Sequence, residues 1–353
     1  MAARGFFIDD GGTRKHNGAA PRALFMKILV LNHDEVVELL PMPDCVALMR
    51  GALLSLAEGR AHQPLRTIVR PPAAEGFMGL MPAYASDPRA AFGLKAICIF
   101  PGNPARGKDS HQGAVLLYGA ETGELLAVIN ASAVTAVRTA AVSALATDVL
   151  ARAEACELGV VGAGVQARSH VEAVSGVRRL RRCRVASRNV EHARRLAAEL
   201  RGRYEFPVEA VESVEEALRG ADIVVTATNA AEAVVRRGWV AAGAHINAVG
   251  SCTPRTRELD AGVVAASSMF VDSVESTINE AGDYLLALQE GAVGPGHIRA
   301  ELGEVLTGAK PGRTSDEEIT LFKSLGLAVE DLAAAAHLYD RARETGAGTW
   351  VDF

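Results

Sequence analysis

Gly162-Ala163-Gly164-Val165-Gln166-Ala167 follows the apolar run Leu158 to Val161 and opens a stretch with helical character. A GxGxxA between a strand and a helix is the pattern of a dinucleotide-binding turn. Gly162 permits the tight turn, Gly164 lets the backbone approach a pyrophosphate, and Ala167 keeps helix and strand close. The helix N-terminus adds amide donors for the phosphates. The next strand ends in Ala186-Ser187-Arg188-Asn189, and the first acid after it is Glu191. NAD-binding turns place a carboxylate there for the ribose hydroxyls, whereas a nearby arginine accommodates a 2′-phosphate. NADPH is therefore the expected cofactor, with NADH possible. The blander readings are a plain glycine turn and a solvated Arg188.

Two cations stand where charge is expensive, and a third could join them. Arg138 lies in Ala133-Val134-Thr135-Ala136-Val137-Arg138-Thr139-Ala140-Ala141-Val142, and its helical neighbours are small or apolar. A guanidinium so placed needs an anion. Either a substrate carboxylate, gripped bidentately, or an Asp or Glu from elsewhere in the fold would serve. Lys95 alternates with Ile97 and Ile99, so it points to the apolar side of its strand, where burial lowers a lysine pKa and suits it to proton transfer or anion holding. Arg66, in Gln63-Pro64-Leu65-Arg66-Thr67, is a second anion holder or a surface residue. His111, in Ser110-His111-Gln112, reads as a solvated loop histidine.

The elements that must position these residues fall into two patterns. From Lys27 a short strand and a helix from about Pro43 to Glu58 precede β-rich segments at 65–69, 79–81, 94–100, 114–118 and 125–129, an α+β pattern. A long helix follows from Ala133 to about Ala151. From Glu157 strands and helices alternate, at 158–161, 183–187, 208–211, 222–226, 244–249, 269–271 and 319–322, which implies a parallel sheet. Ser213 with Glu216 forms a capping box. A last helix, Leu327 to Arg343, precedes a β-like tail at 349–353. The expected fold class is α/β, a Rossmann-type dinucleotide-binding domain over residues 140–324. An α+β substrate-binding and dimerisation domain comprises 27–139 plus 325–353. Residues 1–26 read as a disordered extension or tag.

The 353 residues leave room for two domains with buried cores. Lys plus Arg is 37 against 42 Asp plus Glu, a net charge of −5 without long runs of like charge, so a nucleic-acid partner is not expected. Apolar stretches are broken by charge, as at Arg138 and Asp148, so no membrane span is expected. Five cysteines without a CxxC fit a reducing cytoplasm. Scattered histidines offer no metal motif, and there is no GxSxG elbow. Glu317-Glu318, after Asp316, reads as a solvated turn.

Over nearly all of 27–345 the sequence resembles the ornithine cyclodeaminase and mu-crystallin family. The resemblance rests on Gln63 to Thr67, Gly79 to Tyr84, Ser110 to Gln112, Val137 to Ala141, the GAGVQA turn, His245-Ile246-Asn247-Ala248-Val249-Gly250 and Phe322-Lys323-Ser324-Leu325-Gly326. It implies a homodimer formed through the N-terminal domain. By position it makes Arg66, Lys95 and Arg138 substrate-carboxylate and catalytic-site residues. Thr139, Gly164, Val165, Gln166, Ser187, Arg188, Asn189, Thr226 and Val249 become cofactor contacts, beside Gly162 of the turn.

Two positions depart from the cyclodeaminases of that family. Where those carry a glutamate before the Met-Pro turn this chain has Gly79, and where they carry an aspartate after the Asn-Ala-Val-Gly strand it has Ser251-Cys252-Thr253. Cyclodeamination needs a base, so loss of both carboxylates argues against it; mu-crystallin-like members share both departures and resemble ketimine reductases. The expected activity is NAD(P)H-dependent reduction of a small cyclic imino acid, such as pyrroline-2-carboxylate or piperideine-2-carboxylate. The rivals are an ornithine cyclodeaminase or alanine-type dehydrogenase, and an NADPH-dependent binder of carboxylated hydrophobic ligands.

Overall fold

The computed structural model describes residues 26–353; the extension expected over 1–26 lies, Met26 apart, outside the described residues. In the first part of the chain the strands are β1 (Lys27–Leu31), β2 (Ala61–His62), β3 (Thr67–Val69), β4 (Phe77–Ala85), β5 (Ala91–Ile99), β6 (His111–Gly119) and β7 (Leu125–Asn130). The second part supplies β8 (Glu157–Val161), β9 (Arg182–Ala186), β10 (Val208–Ala210), β11 (Ile223–Thr226), β12 (His245–Ala248), β13 (Ser267–Val271), β14 (Ile298–Glu301), β15 (Ile319–Lys323) and β16 (Thr349–Asp352).

These strands form two sheets. The first runs β16-β1-β7-β6-β5-β4-β2, with β3 also on β4; only β1 and β7 pair in parallel. The second runs β10-β9-β8-β11-β12-β15-β13-β14, every pair parallel, as the strand–helix alternation implied. Ser213 caps the helix Val214–Leu218 by accepting from the Glu216 amide, but the expected capping box is only half formed, because the Glu216 carboxylate accepts from the Glu212 amide instead of that of Ser213. Among the elements not foreseen are β2, β14 and the helix His33–Leu39, whose Asn32 and Glu35 form a capping box.

The helix Ala131–Leu150 ties the halves together. It touches the helix Met42–Ala57, the helix Val165–Val177, β6 and β12, and it runs unbroken through residues 139 and 140. Small and apolar residues all round it explain this, because a helix without a polar face has to be buried on every side. It is long and apolar enough to cross a membrane, yet most of it is buried inside the protein. The last helix, Ala328–Thr345, packs on β4 and β5 and stops at Gly346, whose φ of 73° is the left-handed cap that favours glycine.

One expectation needs correction. Glu318 is not a solvated turn residue: it accepts from the Thr314 amide and from Ser268, and pairs with Arg299 at 2.6 Å. These donors hold its carboxyl below the usual range although burial alone would raise it. Local sequence showed only its two acidic neighbours, Asp316 and Glu317, whereas its partners come from β13, β14 and the loop before it.

Candidate active site

Strand register assembles the first wall of the site. Lys95 on β5 faces Met81 of β4 and Val115 of β6. Side chains alternate across a strand, so Gly79 and His111, two and four residues away in their own strands, lie on the same face as Lys95. His111 is therefore not a loop histidine; it opens β6 and is half-buried. Burial, then Lys95 and Arg138, hold its pKa below the ordinary histidine value, so it is neutral near pH 7. Its odd-numbered alternation with Val115 and Leu117 was the signal available in the sequence.

Two helices supply the second wall. Arg138, on Ala131–Leu150, directs Nε to Asp331 Oδ1 at 3.0 Å and Nη1 to Glu330 Oε2 at 2.9 Å. Asp331 Oδ2 lies 2.6 Å from Lys95 Nζ. All four side chains are 4% exposed or less, so they form a closed set of two cations and two carboxylates. The anion that Arg138 demanded thus comes from the fold, the second of the two alternatives. No described hydrogen bond uses its Nη2.

The electrostatics of this set follow from burial. Desolvation, reinforced by Arg138, brings Lys95 down to about 8, with Asp331 pulling the other way. Desolvation pushes Glu330 up to about 7 against the pull of Arg138. Asp331, between both cations, stays below its ordinary value despite burial. The site therefore holds a lysine whose proton is labile close to neutrality, which is what general acid catalysis needs.

Arg66 approaches from the loop before β3. Its Nη2 donates to the carbonyls of Leu325 (2.8 Å) and Gly326 (3.1 Å), and its Nε lies 3.0 Å from Glu280 Oε2. Gly326 has φ 79°, and a Cβ there would stand 2.4 Å from Arg138 Nη1, so only glycine lets the loop close over the guanidinium. Asp272 pins this loop by accepting from the Leu325 and Gly326 amides at 2.6 and 2.7 Å. A small cleft opens there, lined by Gln63, Pro64, Arg66, Ser276, Gly326 and Leu327 among others.

The dinucleotide turn is adjacent. Gly162 has φ 119°, and a Cβ would meet the Ala227 carbonyl at 2.3 Å. Gly164 caps the helix Val165–Val177 without any side-chain bond to its first amides, and the space before its Cα is open. A glycine-bounded turn with uncapped amides facing open space fits a pyrophosphate. Gln166 Nε2 donates to the Thr135 carbonyl at 3.2 Å, which places the turn's helix one turn of Ala131–Leu150 away from Arg138 and Thr139.

The other expected cofactor residues fall at strand ends. Ser187 and the exposed Arg188 follow β9. Asn189 caps the helix Val190–Leu200 by accepting from the Glu191 amide. Thr226 ends β11, with its hydroxyl donating to the buried Glu258 at 2.7 Å; Val249 follows β12. Sequence reasoning missed Asp331, Glu330, Asp272 and Glu280. The available signal was an acidic pair, Glu330-Asp331, opening a helix that continues Leu332-Ala333-Ala334-Ala335-Ala336.

Residues 26–346 match the model of the ornithine cyclodeaminase/mu-crystallin family. The chain belongs to that family. Among its members, the ketimine reductase mu-crystallin of Mus musculus is 42% identical over 283 residues, 80% of this chain and 86% of that protein. The structure of Thermococcus litoralis Delta(1)-pyrroline-2-carboxylate reductase, in complex with NADH and L-proline, superposes with a TM-score of 0.89 at 40% identity, covering 92% of this chain and all (100%) of that one. An archaeal alanine dehydrogenase dimer with bound NAD gives a TM-score of 0.87 at 32% identity, over 93% of this chain and 100% of the other.

Proposed function

We propose that this protein reduces a small cyclic ketimine carboxylate to the corresponding amino acid with NADPH or NADH. The observation that carries the reading is the meeting of the Gly162–Ala167 turn, through Gln166 and Thr135, with the helix that presents Arg138 to Lys95. The named activities of the mouse and Thermococcus relatives support it. The chain is accordingly an oxidoreductase acting on a C–N bond.

A bound nicotinamide supplies the hydride. Arg66 and the free Nη2 edge of Arg138 hold the substrate carboxylate, and Lys95 Nζ keeps a proton on, or delivers one to, the imine nitrogen. The carbon then gains the hydride while the nitrogen bears the proton, so the C=N bond becomes a C–N bond without a separate base. Catalysis is largely positioning. Gly79 agrees with this economy, because it leaves the face beside Lys95 without the carboxylate that a cyclodeaminase carries there. Thr139, Gly162, Gly164, Val165, Gln166, Ser187, Arg188, Asn189, Thr226 and Val249 hold the cofactor, and Arg188 favours the 2′-phosphate form.

The protein works as a homodimer in this reading. Support comes from the archaeal dimer and from Met78 and Phe92, exposed on the outer face of the first sheet. Its five cysteines are all free, which suits a reducing cytoplasmic setting. The test is NADPH consumption by purified protein with pyrroline-2-carboxylate or piperideine-2-carboxylate. Turnover with product L-proline or L-pipecolate is expected; ammonia release from ornithine with NAD+, and no imine reduction, would overturn the proposal. The alanine dehydrogenase likeness makes pyruvate plus ammonia the informative control.

A further inference from the structure

Arg66 meets a carboxylate from the other half of the chain. Glu280 is the last residue of the helix Val274–Glu280, and its Oε2 lies 3.0 Å from Arg66 Nε with both side chains 16% exposed. Among the described residues no donor other than Arg66 reaches that oxygen. The neighbouring acid is differently occupied: Asp272 accepts from three backbone amides, those of Ser273, Leu325 and Gly326. Glu280 is thus the carboxylate at Arg66 that no backbone donor claims.

Its position disfavours the charge it carries. A helix C-terminus repels an anion, and no basic residue stands in the last turn of Val274–Glu280. Burial and Asp272 push the Glu280 carboxyl up, with Arg66 opposing them. Arg66 also lines the cleft that opens beside Ser276 and Gly326, so an anion entering there meets the same guanidinium.

We propose that Glu280 is an internal counter-ion occupying Arg66 in the free protein, and that an incoming substrate carboxylate takes its place. This rests on the reading of Arg66 as the substrate-carboxylate holder. Glu280 then acts as a specificity residue: it sets the affinity for carboxylates against a built-in competitor and leaves affinity for neutral ring compounds alone.

The experiment is Glu280→Gln, which keeps shape and removes the charge. KM for pyrroline-2-carboxylate falls about three- to tenfold, the scale of removing one competing ion pair, while KM for NADPH stays unchanged. Binding of pyrrole-2-carboxylate, measured by calorimetry in the presence of NADPH, tightens by the same factor, and binding of pyrrole-2-carboxamide does not. An unchanged or raised KM, or equal tightening for the amide, would make Glu280 a fixed tie between the halves and overturn the proposal. If the wild type reduces no imine, the proposed function fails separately, and the calorimetric comparison of acid with amide still decides the role of Glu280.

Discussion

Asp331 stands 2.6 Å from Lys95, and the same carboxylate holds Arg138 Nε at 3.0 Å with its other oxygen. One acid therefore governs both cations of the site: it keeps a proton on the lysine against the desolvation that would remove it, and it fixes the plane of the guanidinium.

Replacing Asp331 by Asn tests this. With Lys95 at about 8, kcat/KM of the wild type falls as pH rises through about 8, because the reacting form carries the proton. Asn removes an opposing charge, which lowers a lysine pKa by about 1–3 units. The alkaline limb moves to lower pH by that amount, and activity at pH 8 drops about fivefold for a shift of about one unit and more for a larger one. A pH–rate profile with an unmoved limb would release Lys95 from the role of acid.

Cofactor choice is tested at Arg188, which is exposed at the end of β9 with no acid before Glu191. Arg188→Ala weakens NADPH about tenfold or more, the worth of a hydrogen bond to a charged group, and leaves NADH nearly untouched. Fluorescence titration of both dinucleotides reads the difference; equal losses would move the 2′-phosphate contact elsewhere.

A third variant probes stability away from the reacting groups. Lys323, fully buried on β15, pairs with Asp283 at 3.0 Å and donates to the Ala248 carbonyl. Lys323→Met strands the aspartate and costs about 3–5 kcal/mol. Adding Asp283→Leu restores much of the loss, since a buried pair replaced whole is often neutral. Urea unfolding of both variants measures it, and a double variant weaker than the single would contradict the account.

What the sequence discloses divides along distance. The GAGVQA turn is local: strand, glycines and helix are contiguous, and the structure gives Gly162 the φ that pattern requires. The parallel sheet was equally legible, since each crossover leaves its own periodicity. Arg138 was legible as a charge with no solvated face, but its partner was not. Glu330 and Asp331 are 192 and 193 positions away, and no local period links them. The capping role of Asn189 and the bond from Thr226 to Glu258 were hidden for the same reason: a side chain's type announces that it can bond, and only the fold selects with what.

The final strand carries a consequence for anyone shortening the chain. β16 pairs with β1 from Lys27–Asp352 to Val30–Thr349, and Phe353 adds a bond to the Met26 carbonyl. The family match stops at residue 346, before β16 begins. A protein trimmed to that boundary would keep every residue assigned to the reaction and still expose the backbone of β1 along a whole sheet margin. Unpaired margins recruit other chains. The last seven residues thus serve as a selvedge, keeping the woven sheet from joining to its neighbours while taking no part in the chemistry.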